Sequence, residues 1–133
     1  MFPKYHLIIS LIVILALFPI YKFWTIGILF GGYLIDFDHY LWYILRKRDF
    51  SLKKAYKYSL PENKISKEKD VLHIFHVWEF WVIMLILSFF NIFFTLVFIG
   101  MIIHLIMDFI DLHRDLRRIE DRAFSFFMWL RRH

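Results

Sequence analysis

The sequence predicts an all-α membrane protein, a four-span transmembrane helical bundle with short interfacial helices. Three observations predict it. The 133 residues are 60% hydrophobic and 22% aromatic, where a soluble domain is about half apolar. Four long apolar runs follow one another with little between them. The Lys/Arg excess behind the net charge of +5 is concentrated in two segments, a pattern that reads as membrane orientation before it reads as a nucleic-acid footprint.

The length fits one domain, residues 1–133, with expected spans over about 5–21, 23–45, 71–90 and 92–113. The first run, Leu7 to Tyr21, follows Lys4 but no small-residue cleavage site follows it, so it reads as a retained helix and not a signal peptide. Pro19 and Lys22 mark a tight hairpin into the second run, Phe23 to Leu45. A basic loop, 46–70, comes next, with nine Lys/Arg and four Asp/Glu. Within it Phe50 to Leu60 reads as an interfacial helix, with Lys53, Lys54 and Lys57 snorkelling and Pro61 ending it. Ser66 is the expected N-cap of the third helix. Asn91 alone separates the third run from the fourth. The tail from Arg114 holds six more arginines, and 119–133 reads as a second interfacial helix. Trp24, Trp42, Trp78, Trp81 and Trp129 suit an interface belt. The positive-inside rule then predicts a multi-pass cell-membrane protein with both termini cytoplasmic. There is no cysteine, which excludes disulfides, thiolate ligands and a thiol nucleophile.

Polar residues interrupt these runs in three places: Asp36-x-Asp38-His39, His73-x-x-His76-x-x-Glu79 and His104-x-x-x-Asp108-x-x-Asp111. Three- and four-residue spacings share a helix face, so His73, His76 and Glu79 are expected together, as are His104, Asp108 and Asp111. Counted from the opposite ends of their runs, the three groups lie roughly 18–21 Å deep at 1.5 Å per residue. They share one height, near the cytoplasmic edge of a core about 30 Å thick, and His6 begins the first helix on that side. An aspartate at a helix centre costs about 2.5–3.5 kcal/mol to insert. Clustered acids also repel one another, so protonation or a bound cation must offset them. Mixed imidazole and carboxylate donors suit zinc, manganese or iron. The expected ligands are His6, Asp36, Asp38, His39, His73, His76, His104 and Asp108, enough for two divalent ions. Glu79 and Asp38 are the expected catalytic carboxylates, Glu79 as base or orienter. His113, His133 and Asp115 read as bystanders, and Asp111 stands between the two groups.

The element Gly31-Gly32-Tyr33-Leu34-Ile35-Asp36-Phe37-Asp38-His39 resembles the G-x-L-x-P-D-x-D-H element of the small membrane-bound metal-dependent hydrolases, the YdjM-like family. His104-Leu-Ile-Met-Asp108 resembles that family's H-x-x-x-D element, and His6 matches its early histidine. Ile35 stands where the family has proline. His73-Ile-Phe-His76 stands where it has H-R-G-x-T-H. The family is distantly similar to zinc-dependent phospholipases C. The resemblance implies metal-dependent hydrolysis, with a phosphoester of a lipid or lipid-linked substrate as target. Expected partners are the bilayer and an anionic headgroup recruited by the basic loop; nucleic acid is not expected. The competing class is a metal-ion or proton-coupled transporter. Against it, the polar residues cluster on one side and leave no path across.

Overall fold

The computed structural model describes residues 3–59, 72–112 and 123–132. Among them there are helices, turns and connecting segments, and no strand. Two helical stretches, Lys4–Lys47 and Ile92–Ile110, are long and apolar enough to cross a membrane, and Trp78–Ser88 is apolar but shorter.

The first stretch is not one rod. Helix α1 (Pro3–Tyr21) carries Pro19 in its last turn, and Lys22 then takes a left-handed backbone, φ 48°. A 3₁₀ turn, Lys22–Thr25, follows, closed by Thr25 Oγ1 donating to the Lys22 carbonyl at 2.6 Å. The chain folds back, so that Ser10 lies against Gly32. In a straight helix those residues would be roughly 33 Å apart.

Helix α2 (Ile26–Gly32) packs across α6 (Ile92–Leu112) with almost no side chain between the backbones. A Cβ on Gly31 would stand 1.9 Å from the Val97 carbonyl oxygen, and one on Gly100 would stand 2.6 Å from that of Ile28. The spacing Gly27-x-x-x-Gly31 puts both glycines on one face, the small-residue pattern that lets helices approach closely. Ile28, Leu96 and Met101 are fully buried at this crossing.

The expected second span, 23–45, is not one continuous helix. The α2 ladder ends at Tyr33, a 3₁₀ turn covers Leu34–Asp36, and helix α3 begins afresh over Phe37–Lys47. Two adjacent glycines weaken the helix here, each by about 1 kcal/mol against alanine. Asp36 N–H turns to the Tyr33 carbonyl at 3.4 Å, and the Gly32 carbonyl is released from the ladder.

The expected third span, 71–90, is shorter than predicted. Leu72 and His73 are non-helical, Ile74–His76 form a 3₁₀ turn and Val77 is extended. Helix α5 runs only from Trp78 to Ser88, 11 residues or roughly 16 Å. The α5–α6 hairpin is closed by Asn91 Oδ1, which accepts from Phe93 N–H at 2.8 Å, and by Thr95 Oγ1 donating to the Ser88 carbonyl at 2.6 Å.

Part of the basic loop is helical, α4 (Leu52–Ser59). It turns Ala55 inward and exposes Lys53, Lys54 and Lys57. Before it, Asp49 accepts from Ser51 N–H at 2.9 Å and from Lys54 at 2.7 Å. The Lys54 hydrogen bond is the main cause holding the Asp49 carboxyl below its ordinary range. That small contribution is present above the unfolded pKa and is lost as pH falls through the folded one. The tail contributes α7 (Phe126–Leu130). Trp42 is not in an interface belt: it is buried with Leu72, Val77 and Ala123. The rest of the expected loop (60–70, with Pro61 and Ser66), residue 71 and the rest of the expected tail helix lie outside the described residues, as do His113, Asp115, His133 and the Asp111 side chain.

Candidate metal centre

The two helix breaks build the site. The Gly32 carbonyl, freed from α2, faces His104 Nδ1 at 3.1 Å. A carbonyl only accepts, so Nδ1 carries the proton and Nε2 presents a lone pair. At the second break Phe75 N–H, free of any helix ladder, donates to Asp38 Oδ2 at 3.1 Å, and His76 Nδ1 meets the same oxygen at 2.9 Å. With Nδ1 as the donor to that carboxylate, His76 Nε2 is also left as a lone pair.

These two lone pairs point at each other. His76 Nε2 and His104 Nε2 are 3.4 Å apart, and Asp36 Oδ1 completes a triangle at 3.9 and 3.5 Å. Three acceptors this close repel unless something positive lies between them. Ligands on a tetrahedral ion with bonds of about 2.1 Å are roughly 3.4 Å apart, which is close to the size of this triangle.

Two further groups adjoin it. His6, His104 and Asp108 form one, and Asp38, His39 and His73 the other; in each, as in the central group, the candidate ligand atoms lie within 4.8 Å of one another. Asp108 spans its two histidines, with Oδ1 3.5 Å from His6 Nε2 and Oδ2 3.7 Å from His104 Nε2. Asp38 Oδ1 is 2.8 Å from His39 Nδ1 and 3.7 Å from His73 Nδ1. The rings stack in pairs, His6 on His104 with centroids 4.3 Å apart and His39 on His73 at 3.9 Å.

All eight residues expected as ligands therefore converge, from α1, from the α2–α3 break, from the lead-in to α5 and from α6. His6, Asp38 and His104 are at most 2% exposed. Among the described residues Asp36 and Asp38 form ion pairs only with histidines. With neutral imidazoles the cluster holds three uncompensated carboxylates. His6 Nδ1 and Ser10 Oγ, one turn apart on α1, are buried with no hydrogen-bond partner among the described residues, an arrangement that one bridging water would satisfy.

Glu79 is placed differently from the expectation. His73 and His76 precede α5, so the three-residue spacing does not put them on a face with Glu79. Its Oε1 accepts from the Ser125 hydroxyl, and its two oxygens face Phe126 N–H at 3.1 Å and Phe127 N–H at 3.5 Å. Trp78 N–H donates to the Phe124 carbonyl at 3.1 Å. Glu79 thus ties the tail to the start of α5 and is not a member of the three ligand groups.

The site also contains groups that a search for side-chain ligands passes over: the Gly32 carbonyl and Phe75 N–H. Only the glycine spacing gave a sequence signal for either of them. Comparison of the chain with protein-family models, with curated proteins and with solved structures finds no match.

Proposed function

We propose that this chain is a membrane-embedded, metal-dependent hydrolase acting on a phosphoester of a lipid or lipid-linked substrate at the cytoplasmic face. The observation that carries the reading is the triangle of Asp36, His76 and His104, with both imidazoles oriented through their other nitrogen. A hydrogen-bonded second nitrogen that fixes ring and tautomer is the usual support of a metal-binding histidine.

Two ions are the natural number. His104 Nε2 has one lone pair and belongs to two of the three groups, so those two groups share one ion. The Asp38, His39 and His73 group takes the other. Zinc suits the donor set, as do manganese and iron. A divalent ion there supplies Lewis acidity and lowers the pKa of a bound water to about 7. The protein's own residues do the rest. Asp38 and the Gly32 carbonyl orient the imidazoles. Asp36 and Asp108 supply the negative charge that holds the ions. The apolar walls exclude bulk water. Glu79 is no base in this reading, because its oxygens are engaged by the tail. The basic residues at the end of α3 and on α4 attract anionic headgroups, at about 1 kcal/mol per Lys or Arg near the surface.

The test is elemental analysis of purified protein, followed by a screen of phospholipids and lipid phosphates with zinc, manganese and iron. The expected result is one to two equivalents of metal and metal-dependent release of phosphate or headgroup. Metal flux in proteoliposomes with no hydrolysis under any condition would replace the enzyme with a transporter.

A further inference from the structure

Beside the metal centre lies a cavity of about 260 Å³. Every side chain lining it is apolar; Phe30 and Leu34 are partly exposed at its rim, and Met84 and Met101 are buried deeper. The same two helix breaks that deliver ligands to the centre deliver walls to the cavity. Ile35 immediately precedes Asp36, and Phe75 lies between His73 and His76 while its N–H holds Asp38. Cavity and centre therefore share a partition one residue thick.

Its lining says what it holds. An apolar cavity does not retain ordered water, which needs polar partners. It is too small for a helix, whose diameter is about 10–12 Å with side chains. A methylene takes about the room of one water, about 30 Å³, so roughly eight or nine methylenes fill the space. A molecule with an anionic head in the centre and an alkyl tail alongside matches both compartments at once.

We propose that this cavity seats one hydrocarbon chain of the substrate, so that the enzyme measures chain length next to the bond it cleaves. The proposal rests on the hydrolase reading above and adds a specificity subsite to it. Chains enter between Phe30 and Leu34 at the rim. The segment nearest the headgroup lies against Ile35 and Phe75. Carbons beyond the ninth remain outside.

The experiment measures binding of n-alkyl phosphates, from butyl to dodecyl, to zinc-loaded protein in nanodiscs. Wild type and Leu34→Trp are compared in the same discs so that partition into lipid cancels. Wild type and Leu34→Trp should therefore differ in how affinity depends on chain length up to eight or nine carbons, and run parallel after. Leu34→Trp, at the rim, should keep its zinc and its affinity for inorganic phosphate. Met84→Phe, which fills the cavity from inside, should shorten the plateau in the same way. Identical chain dependence in all three proteins, with metal and phosphate still bound, overturns the cavity proposal alone. n-Alkanols of the same lengths report on the chain without the head. A length limit in alkanols, with neither zinc nor phosphate bound, keeps the cavity as a hydrocarbon site and removes the hydrolase reading that links it to a substrate.

Discussion

Asp38 is the residue on which most of the centre converges. It is 2% exposed and meets His39, His76 and Phe75 N–H within 3.1 Å. Removing it unpairs a part-buried backbone donor as well as two imidazoles, and breaking a buried pair costs about 3–5 kcal/mol. Asp38→Ala should therefore lose most of its metal and unfold at a clearly lower temperature. Wild-type metal content and midpoint in that variant would show that the cluster holds no ion. Glu79→Ala should behave in the opposite way. Its hydrogen bonds to Ser125 and the Phe126 amide are charge-assisted, worth about 1.5–3 kcal/mol each. Amide exchange at Phe126 to Met128 should accelerate at least tenfold while metal content stays near wild type. Metal loss with unchanged exchange would return Glu79 to the centre. The convergence of these eight side chains was legible in the sequence because a carboxylate or imidazole inside an apolar run has few other reasons to be there. The surroundings of Glu79 were not legible, because the spacing argument presumed a helix running from His73, whereas α5 begins five residues later.

At the scale of elements, the decisive features are two interruptions and one close crossing. A continuous helix through Gly32 or Phe75 would have used the Gly32 carbonyl and the Phe75 N–H internally. Breaking it hands both groups to the centre. Apolar run length announced the spans but could not show these breaks, since Leu34, Ile35, Ile74 and Phe75 are as hydrophobic as any helical stretch. The crossing of α2 on α6 sets the distance from Gly32 to His104. Two effects oppose each other in Gly31→Ala. Helix propensity favours alanine by about 1 kcal/mol. The new Cβ, however, would sit 1.9 Å from the Val97 carbonyl oxygen and 2.7 Å from Met101 N, where neither neighbour is a side chain that can swing aside. Overpacking of this kind costs about 1–3 kcal/mol or more, so the clash wins. Gly31→Ala should lower both the unfolding midpoint and metal affinity although it touches no ligand. Gly27→Ala, whose nearest contact is 2.8 Å, should do so less. A stabilised Gly31→Ala would mean that α2 and α6 do not meet as described.

For the molecule as a whole, the distribution of the polar end and the hairpin turns is what supports the proposal of a four-pass arrangement. α1 has 19 residues, roughly 28 Å, close to the thickness of a hydrocarbon core. Its first turns bring His6 to the centre and it ends at Tyr21, just before the chain reverses at Lys22. The second hairpin exposes Phe89 and Phe90, each 80% accessible, and Phe23 is 83% accessible beside the first. Both turns thus expose large aromatic side chains, whereas α3 leads from Asp38 to Arg46, Lys47 and the lysines of α4. A soluble protein rarely leaves so much contiguous apolar surface uncovered, and α1 shows Ile8, Ile12 and Leu15 along one side. In that proposed arrangement the placement of charge would orient the bundle with α4 on the cytoplasmic side and Lys22 on the other. The chain has no cysteine, so single cysteines can be introduced without background. Lys22→Cys and Lys57→Cys should react with a membrane-impermeant maleimide from opposite faces of sealed vesicles, Lys57→Cys only from the cytoplasmic face. Both positions are exposed in the folded chain, so a failure to label would report membrane burial and not packing within the protein. Labelling of both from one side would place the hairpin turn and α4 on the same surface. The first helical stretch would then enter the bilayer without crossing it, and the centre would no longer lie at the cytoplasmic edge of a four-pass bundle.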